Sequence, residues 1–475
     1  MRGFNIFGWE VNTCYTQTIS EFVAGLRYED IPPQVIERAK TFISHGLGCS
    51  LAAAPMESTK AVEQMAAAVG PDGPATCWTN GAKLTPAAAC LANGAACDML
   101  DWEDCSYTGH PTYAILPAAL AVAEAHSLSG CELLCAFVAA FEAYQRIALC
   151  VGDPGKIPHP KYGHGLPNWS IFGASLVTAK LLGFSPDQIN QTIGITAMLH
   201  PISSSGIQAT LSEAYHLEAG LVAQIGYQAA LCVRYGVNNM RDALDIPYMF
   251  AEHLISEPQR QWLDLDLGNR WMLMEMLLKH WPANMWIQNP LEALAELLRE
   301  HPFQPEEVEE IVVDPPMEYR MHFRPEGYTS VVDAEFSTPY AMAAALLDPV
   351  PSWRWFHEDS WKNPEVLALA AKVHSGPSPS LELLSSFNLY TDSKGQDFPE
   401  RTVTIRLKDG RILEKSVRFP KGHPRNMLGQ DELHQLFRQQ TSEVLAPDSA
   451  EALFQGIWSL EEQHNVASLT AHLRR

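Results

Sequence analysis

The chain lacks any run of eighteen apolar residues, so no segment reads as a membrane span. It lacks a CxxC pair, and all ten cysteines lie at or before Cys232. Cys131 and Cys135 fall four apart, on one helix face, while Cys49, Cys90, Cys97 and Cys150 sit among Ala, Leu and Gly. These read as small buried hydrophobes in a reducing compartment, not as a disulfide frame or a zinc knuckle. Cations are scarce, with 33 Lys and Arg against 55 Asp and Glu and a formal net charge of -22. Such a surface repels nucleic acid and anionic lipid but permits an anionic small molecule in a locally positive pocket. No GxGxxG opens a helix, and there is no Walker loop, HExxH or GxSxG, which removes the readings those motifs carry. Met1 to Cys14 has neither the apolar core of a secretory signal nor the Arg-rich pattern of a transit peptide. A cytoplasmic location is therefore expected.

What is present is an ordinary globular composition, 475 residues with 47% apolar and 19% charged, enough for two or three domains around a large core. Up to about Leu267 the pattern reads as almost continuous helix. Ile19, Phe22, Val23 and Leu26 form one stripe at helical period, as do Val35, Ile36, Ala39, Phe42 and Ile43. Helix starts are marked by Asp30 before Pro32-Pro33, by Thr85-Pro86, and by Ser185-Pro186-Asp187-Gln188, the last a capping box. Runs such as AAACLANGAAC and FGASLVTAKLLG are small-residue helices that let backbones approach closely. After about Trp271 the pattern changes to α+β. A helix near Pro290 to Arg299 leads to a strand at Glu309 to Asp314, and a helix follows at Thr338 to Leu347. Arg401 to Leu407 alternates at period two, and Asp409-Gly410 turns it back into Arg411 to Phe419. Helical signals return from about Leu428, with the tail expected to pack on the first domain. The predicted organisation is mainly α: residues 1–270 helical, 271–421 an α+β lid, and 422–475 a helical return.

The densest polar run, Leu100-Asp101-Trp102-Glu103-Asp104-Cys105-Ser106-Tyr107-Thr108-Gly109-His110-Pro111, interrupts two Ala-rich helices. Capped, solvated loops are polar in any case. His110, however, sits where a helix starts, a place that suits a substrate carboxylate, and a tight loop could bring Asp101 back beside it. A second loop, His159 to Trp169, holds His164 between glycines that permit close approach to a ligand. Asp101, Glu103, Asp104 and His110 match no standard metal spacing, so no metal is expected. His216, His253 and His280 lie in helical, largely apolar surroundings and read as structural.

Several ordered motifs resemble the MmgE/PrpD family, which includes 2-methylcitrate dehydratase and cis-aconitate decarboxylase. Asn93-Gly94 followed by Leu100-Asp101-Trp102-Glu103-Asp104 and His110-Pro111 is similar to its NG, (L/M)DFDD and HP signature. Gly163-His164, Phe172-Gly173-Ala174 and Ala179 to Gly183 resemble its GFHPTGT, FGAA and AKLLGL segments, and Ala334-Glu335-Phe336-Ser337 its A-(K/R)-(F/H)-S. The resemblance runs from roughly 17 to 460. It implies a large helical domain from both chain ends with an inserted α+β lid, a homodimer, no cofactor, and a site between the domains. Asp101, His110 and His164 match retained active-site positions.

Four departures stand out. Cys105 replaces the Thr after the DFDD run, and the spacing to the His is one residue shorter. Tyr215 and His216 stand where the family's KR(L/V)xxG has Lys and Arg, and His322 falls near its catalytic lid Tyr. Losing a Lys and an Arg removes two charge-assisted bonds, each worth about 1.5–3 kcal/mol.

The expected function is therefore a lyase, a dehydratase or decarboxylase for an unsaturated or hydroxylated carboxylic acid less charged than citrate or aconitate, in specialised metabolism. Asp101 and His164 would act as acid and base, with His110 binding or protonating the substrate. Trp102, Cys105, Tyr107, Trp169, Tyr215, His216 and His322 would complete the pocket. The alternative keeps the scaffold and holds a polyene-like substrate in a reactive conformer for cyclisation, cycloaddition or isomerisation, with His or Tyr polarising it. A degenerate, non-catalytic scaffold is the third reading.

Overall fold

A computed structural model describes residues 13–106, 109–151, 168–201, 211–237, 240–246, 259–381 and 399–473. The first part is a helical assembly: α1 (Tyr15–Gly25), α2 (Pro33–Ala52), α3 (Glu57–Val69), α4 (Pro86–Asp98), α5 (Thr112–His126), α6 (Gly130–Val151), α7 (Ser170–Leu181), α8 (Pro186–Leu199) and α9 (Ala214–Arg234). Pro occupies the first turn of α2, α4 and α8, where its missing N–H costs nothing. Thr85 accepts from Ala88 N, and Ser185 with Gln188 closes the capping box of α8. The helical run is broken by a β-hairpin, β1 (Pro71–Thr76) with β2 (Lys83–Leu84), where Pro71, Gly73 and Pro74 refuse a helix. A two-residue pair, β3 (Asp104–Cys105) with β4 (Leu277–Leu278), also departs from the expected pattern, because its partners lie far apart in sequence.

The Ala- and Gly-rich helices cross at near-backbone contact. A Cβ on Gly220 of α9 would lie 2.1 Å from Leu91 O of α4, and one on Gly94 would lie 2.9 Å from Gly220 Cα. Helix α6, the one described helix long and apolar enough to span a membrane, is buried throughout its apolar window.

In the second part α10 (Gln288–Glu300), α11 (Val331–Glu335) and α12 (Thr338–Leu347) accompany a four-stranded sheet. The sheet comprises β5 (Val308–Asp314), β6 (Val373–Ser375), β7 (Arg401–Leu407) and β8 (Ile412–Val417) in the order β6-β5-β7-β8. Strands β5 and β6 are parallel and the other pairs antiparallel, with Ile311 opposite Ile405 and Val313 opposite Val403. Val403, Ile405 and Leu407 are buried and their neighbours less so, the alternation expected of a sheet with one covered face. Gly410 turns β7 into β8 at φ +90°. The helices Gln430–Thr441 and Pro447–Trp458 return to pack on α2. One core fills the helical part, and a second runs from Met99, Leu100 and Trp102 through α10 and α12 to the sheet.

Candidate active site

The α4–α9 crossing sets the first two groups. Asp98 lies four residues beyond Gly94 and His216 four before Gly220, so the antiparallel contact brings them together, with His216 Nδ1 3.0 Å from Asp98 Oδ2. The other imidazole nitrogen, Nε2, is 2.9 Å from Glu335 Oε1 of α11, an ion pair whose angles miss those of a hydrogen bond. All three groups are buried.

Past Asp98 the chain turns sharply. Asp101 N donates to Asp98 O, and Asp101 takes φ +42°, a left-handed conformation that Asp tolerates better than most residues. Its carboxylate then meets Lys279, which follows β4 directly. The β3–β4 pairing, Asp104 opposite Leu278, brings Lys279 alongside, and its Nζ is 3.5 Å from Glu103 Oε1. Asn284 Nδ2 donates to the second Asp101 oxygen at 3.1 Å, while Asn284 N donates to Glu335 O. His110 closes the ring of charges. Its Nδ1 donates to Glu103 and lies 3.8 Å from both Asp98 Oδ1 and Asp101 Oδ1. Its ring stacks on Tyr113, whose hydroxyl accepts from Asn168 Nδ2 at 2.8 Å. Beneath, His45 donates from Nε2 to Trp102 O at 2.8 Å; burial depresses this imidazole to about 4, so it is neutral.

Protonation states follow from burial and neighbours. Burial alone would raise Glu103, but Lys279 and His110 outweigh it and bring the carboxyl to about 2. Burial would lower His110 and Lys279; Glu103 reverses this for the imidazole, and Asp101 with Glu103 holds the ammonium well above its ordinary value. Asp98 is pushed up to about 7 by burial and by Glu103, and Glu335 to about 8 by burial against the pull of His216. His216 is raised well above the usual imidazole range: burial opposes the charge, but Glu335 and Asp98 prevail. The result is a buried cluster in which Lys279 and His110 favour the Glu103 carboxylate, Glu103 in turn favours the charged forms of the His110 imidazole and the Lys279 ammonium, and Asp98 and Glu335 can hold protons near neutrality.

Asp98, Asp101, Glu103 and His110 each bring one donor atom within 4.8 Å of the others, a grouping that their sequence spacing did not suggest and that a divalent cation could use. The Lys279 ammonium already bridges two of its members.

The predicted site residues divide. Asp101 and His110 are brought together, but the imidazole's direct partner is Glu103, since Lys279 and Asn284 take the Asp101 oxygens. His216 is in the cluster and is no bystander in apolar surroundings. Tyr215 packs edge-on against His216 and Phe336 at 5.2 and 5.4 Å between centroids. Trp102 is a correction: it is fully buried in the second core and its Nε1 is spent on His280 O, so it is no pocket wall. Cys105 is buried beside Leu277 and Met285, its thiol pushed well up by burial. Trp169 stacks on His200 and Phe172. His322 Nε2 is 2.9 Å from Asp333 O and 3.3 Å from Asp333 Oδ1, which ties the imidazole to α11. His164, Tyr107 and His253 lie outside the described residues. Sequence reasoning missed Asp98, Lys279, Asn284 and Glu335. Only Glu335 stood in a quoted motif, at a position where the family carries Lys or Arg.

Residues 17–263 match the MmgE/PrpD N-terminal domain and residues 281–462 the MmgE/PrpD C-terminal domain. The chain is 26% identical over 477 residues to human cis-aconitate decarboxylase, covering 97% of this chain and 94% of that one. It is 26% identical over 452 residues to the Aspergillus terreus protein of that name, covering 88% of each. It is 24% identical over 488 residues to the cis-aconitate decarboxylase-like protein oryM of Aspergillus oryzae, covering 96% of each.

Proposed function

The chain belongs to the MmgE/PrpD family, and from that membership and the charge cluster we propose that it is a cofactor-independent lyase, a dehydratase or decarboxylase. Its substrate is an unsaturated or hydroxylated carboxylic acid less charged than citrate or aconitate, consumed in specialised metabolism by a cytoplasmic homodimer. The observation that carries this reading is the His110–Glu103–Lys279–Asp101 network, a proton donor and an ammonium held together among buried carboxylates. Glu103 favours the protonated His110 imidazole and accepts from its Nδ1, leaving Nε2 to serve the substrate.

In a decarboxylation the bond to the departing carboxyl breaks, its electron pair stays on carbon, and His110 delivers a proton there. In a dehydration His164, the base expected from the sequence, takes the α-proton and the same imidazolium protonates the leaving hydroxyl, which departs as water. Lys279 places positive charge where the carboxylate or its enolate develops. The role expected of Asp101 changes accordingly: with both oxygens engaged, it positions Lys279.

Conformer-holding cyclisation draws no comparable support, since Trp102 turns into the core and the groups gathered around His110 are charged. The buried charge network likewise argues against a non-catalytic scaffold. The test is to incubate the protein with citrate, 2-methylcitrate, cis-aconitate and a series of unsaturated and 3-hydroxy dicarboxylates and monocarboxylates, following CO2 release and product formation by NMR. Turnover of a less charged acid is expected. Efficient turnover of the tricarboxylates would overturn the substrate assignment, and no turnover of any acid would overturn the lyase assignment.

A further inference from the structure

Four arginines are buried in the described residues: Arg38, Arg146, Arg320 and Arg401. Three of them spend guanidinium N–H groups on backbone carbonyls, Arg38 on Met276 O, Arg146 on Leu265 O and Arg270 O, and Arg401 on Pro315 O and Trp286 O. Arg320 does not. It is 2% exposed, its Nε is buried with no hydrogen-bond partner, and among the described residues its guanidinium has no carboxylate or carbonyl on it. What it touches is aromatic: the cation lies 4.0 Å from the centroid of Phe336 and 4.4 Å from that of Tyr319.

Phe336 follows Glu335, the residue 2.9 Å from His216, and its ring meets Tyr215, which meets His216 in turn. The guanidinium therefore sits on the lid side of the charge cluster. Burial disfavours its proton, and Tyr319 and then Asp101 act against that electrostatically. A buried, rigidly stacked guanidinium with unused donors is costly to the folded protein and is repaid when an anion arrives. Its planar fork matches a carboxylate in two parallel hydrogen bonds.

We propose that Arg320 is the anchor for a second carboxylate of the substrate, remote from the one at His110 and Lys279, so that the preferred class is a dicarboxylate. This rests on the lyase reading for the reacting end and names what the other end must carry. It also accounts for the altered positions. The family's basic residues at 215, 216 and 335 are Tyr, His and Glu here, and Arg320, two residues from His322, supplies a cation from a different point on the lid.

The experiment measures binding by calorimetry of glutarate, its monomethyl ester and butyrate to wild type, Arg320→Met and Arg320→Lys, with thermal melts of each ligand-free protein. Wild type should prefer glutarate to the two monoanions by at least ~10-fold, the scale of a charge-assisted pair. Arg320→Met should abolish that preference while leaving butyrate binding alone, and Arg320→Lys should keep part of it. Ligand-free Arg320→Met should melt no lower than wild type, because it loses an unpaired buried charge. A structural arginine would show the opposite pair of results, a lower melting temperature with the dianion preference intact, and that would overturn the proposal. Absence of the preference in wild type would overturn it equally. Joined to the turnover series above, the two readings separate: a dianion preference that Arg320→Met abolishes, with no acid turned over by wild type, sinks the lyase assignment and leaves the anchor standing.

Discussion

Lys279 and Asp101 are ion-paired with neither side chain reaching solvent. Removing one partner of a buried pair strands the other, at about 3–5 kcal/mol, whereas replacing both with apolar groups costs far less. Lys279→Met should therefore destabilise the protein by roughly that amount in urea melts, and Lys279→Met combined with Asp101→Leu should recover part of the loss. Additive single effects would contradict the pairing.

Glu103 governs the His110 proton. Glu103→Gln removes the charge that raises the imidazole, so the His110 pKa falls. If activity needs the imidazolium, the alkaline limb of kcat/KM moves to lower pH in Glu103→Gln, while the whole profile drops. An alkaline limb at the wild-type position would show that another group titrates there.

The buried acids set a direction for stability against pH. Asp104, Asp98, Glu142 and Glu335 are raised, mainly by burial, to about 6, 7, 7 and 8. A carboxyl with a raised folded-state value binds protons more tightly folded than unfolded, so its contribution falls as pH climbs from the ordinary carboxylate range through that value. The raised imidazoles of His110 and His216 act in the same direction, their stabilisation being complete below the ordinary imidazole value and lost as pH climbs from there through their raised folded-state values. The melting temperature should therefore be higher at pH 6 than at pH 8.5 in the same buffer ions; the reverse order would contradict the buried, protonated assignments.

Trp102→Phe should separate core from pocket. The indole donates to His280 O at 2.9 Å inside the second core, so its loss should cost about 1–2 kcal/mol of stability. Substrate KM should be unchanged, which a wall residue would not allow.

Much of this was legible in sequence because helix starts and strand alternation are local. Pro33, Pro86 and Ser185-Pro186 marked real helix starts, the strand Arg401–Leu407 and the helix Thr338–Leu347 fall where their patterns placed them, and the mainly α fold follows. The Asp101-to-His110 loop stood out by polarity alone. What escaped was everything set by distant contacts. Lys279 lies in the apolar run Leu277-Leu278-Lys279-His280-Trp281 and gains its meaning only when β4 pairs with β3 across more than a hundred and fifty residues. Asp98 ends an Ala-rich helix and gains its partner only where the Gly94–Gly220 crossing sets His216 on it. Trp102 misled because an aromatic beside catalytic acids invites a pocket role, while its neighbours Met99 and Leu100 belonged to the core.

The most direct measurement compares single-turnover rates of wild type and His110→Gln on the acid that proves to be the best substrate, in D2O, with NMR of the product. The account predicts solvent deuterium at the protonated carbon, or water lost in equal measure, and a rate at least ~100-fold lower without the imidazole. A His110→Gln protein that turns over as fast as wild type would contradict it.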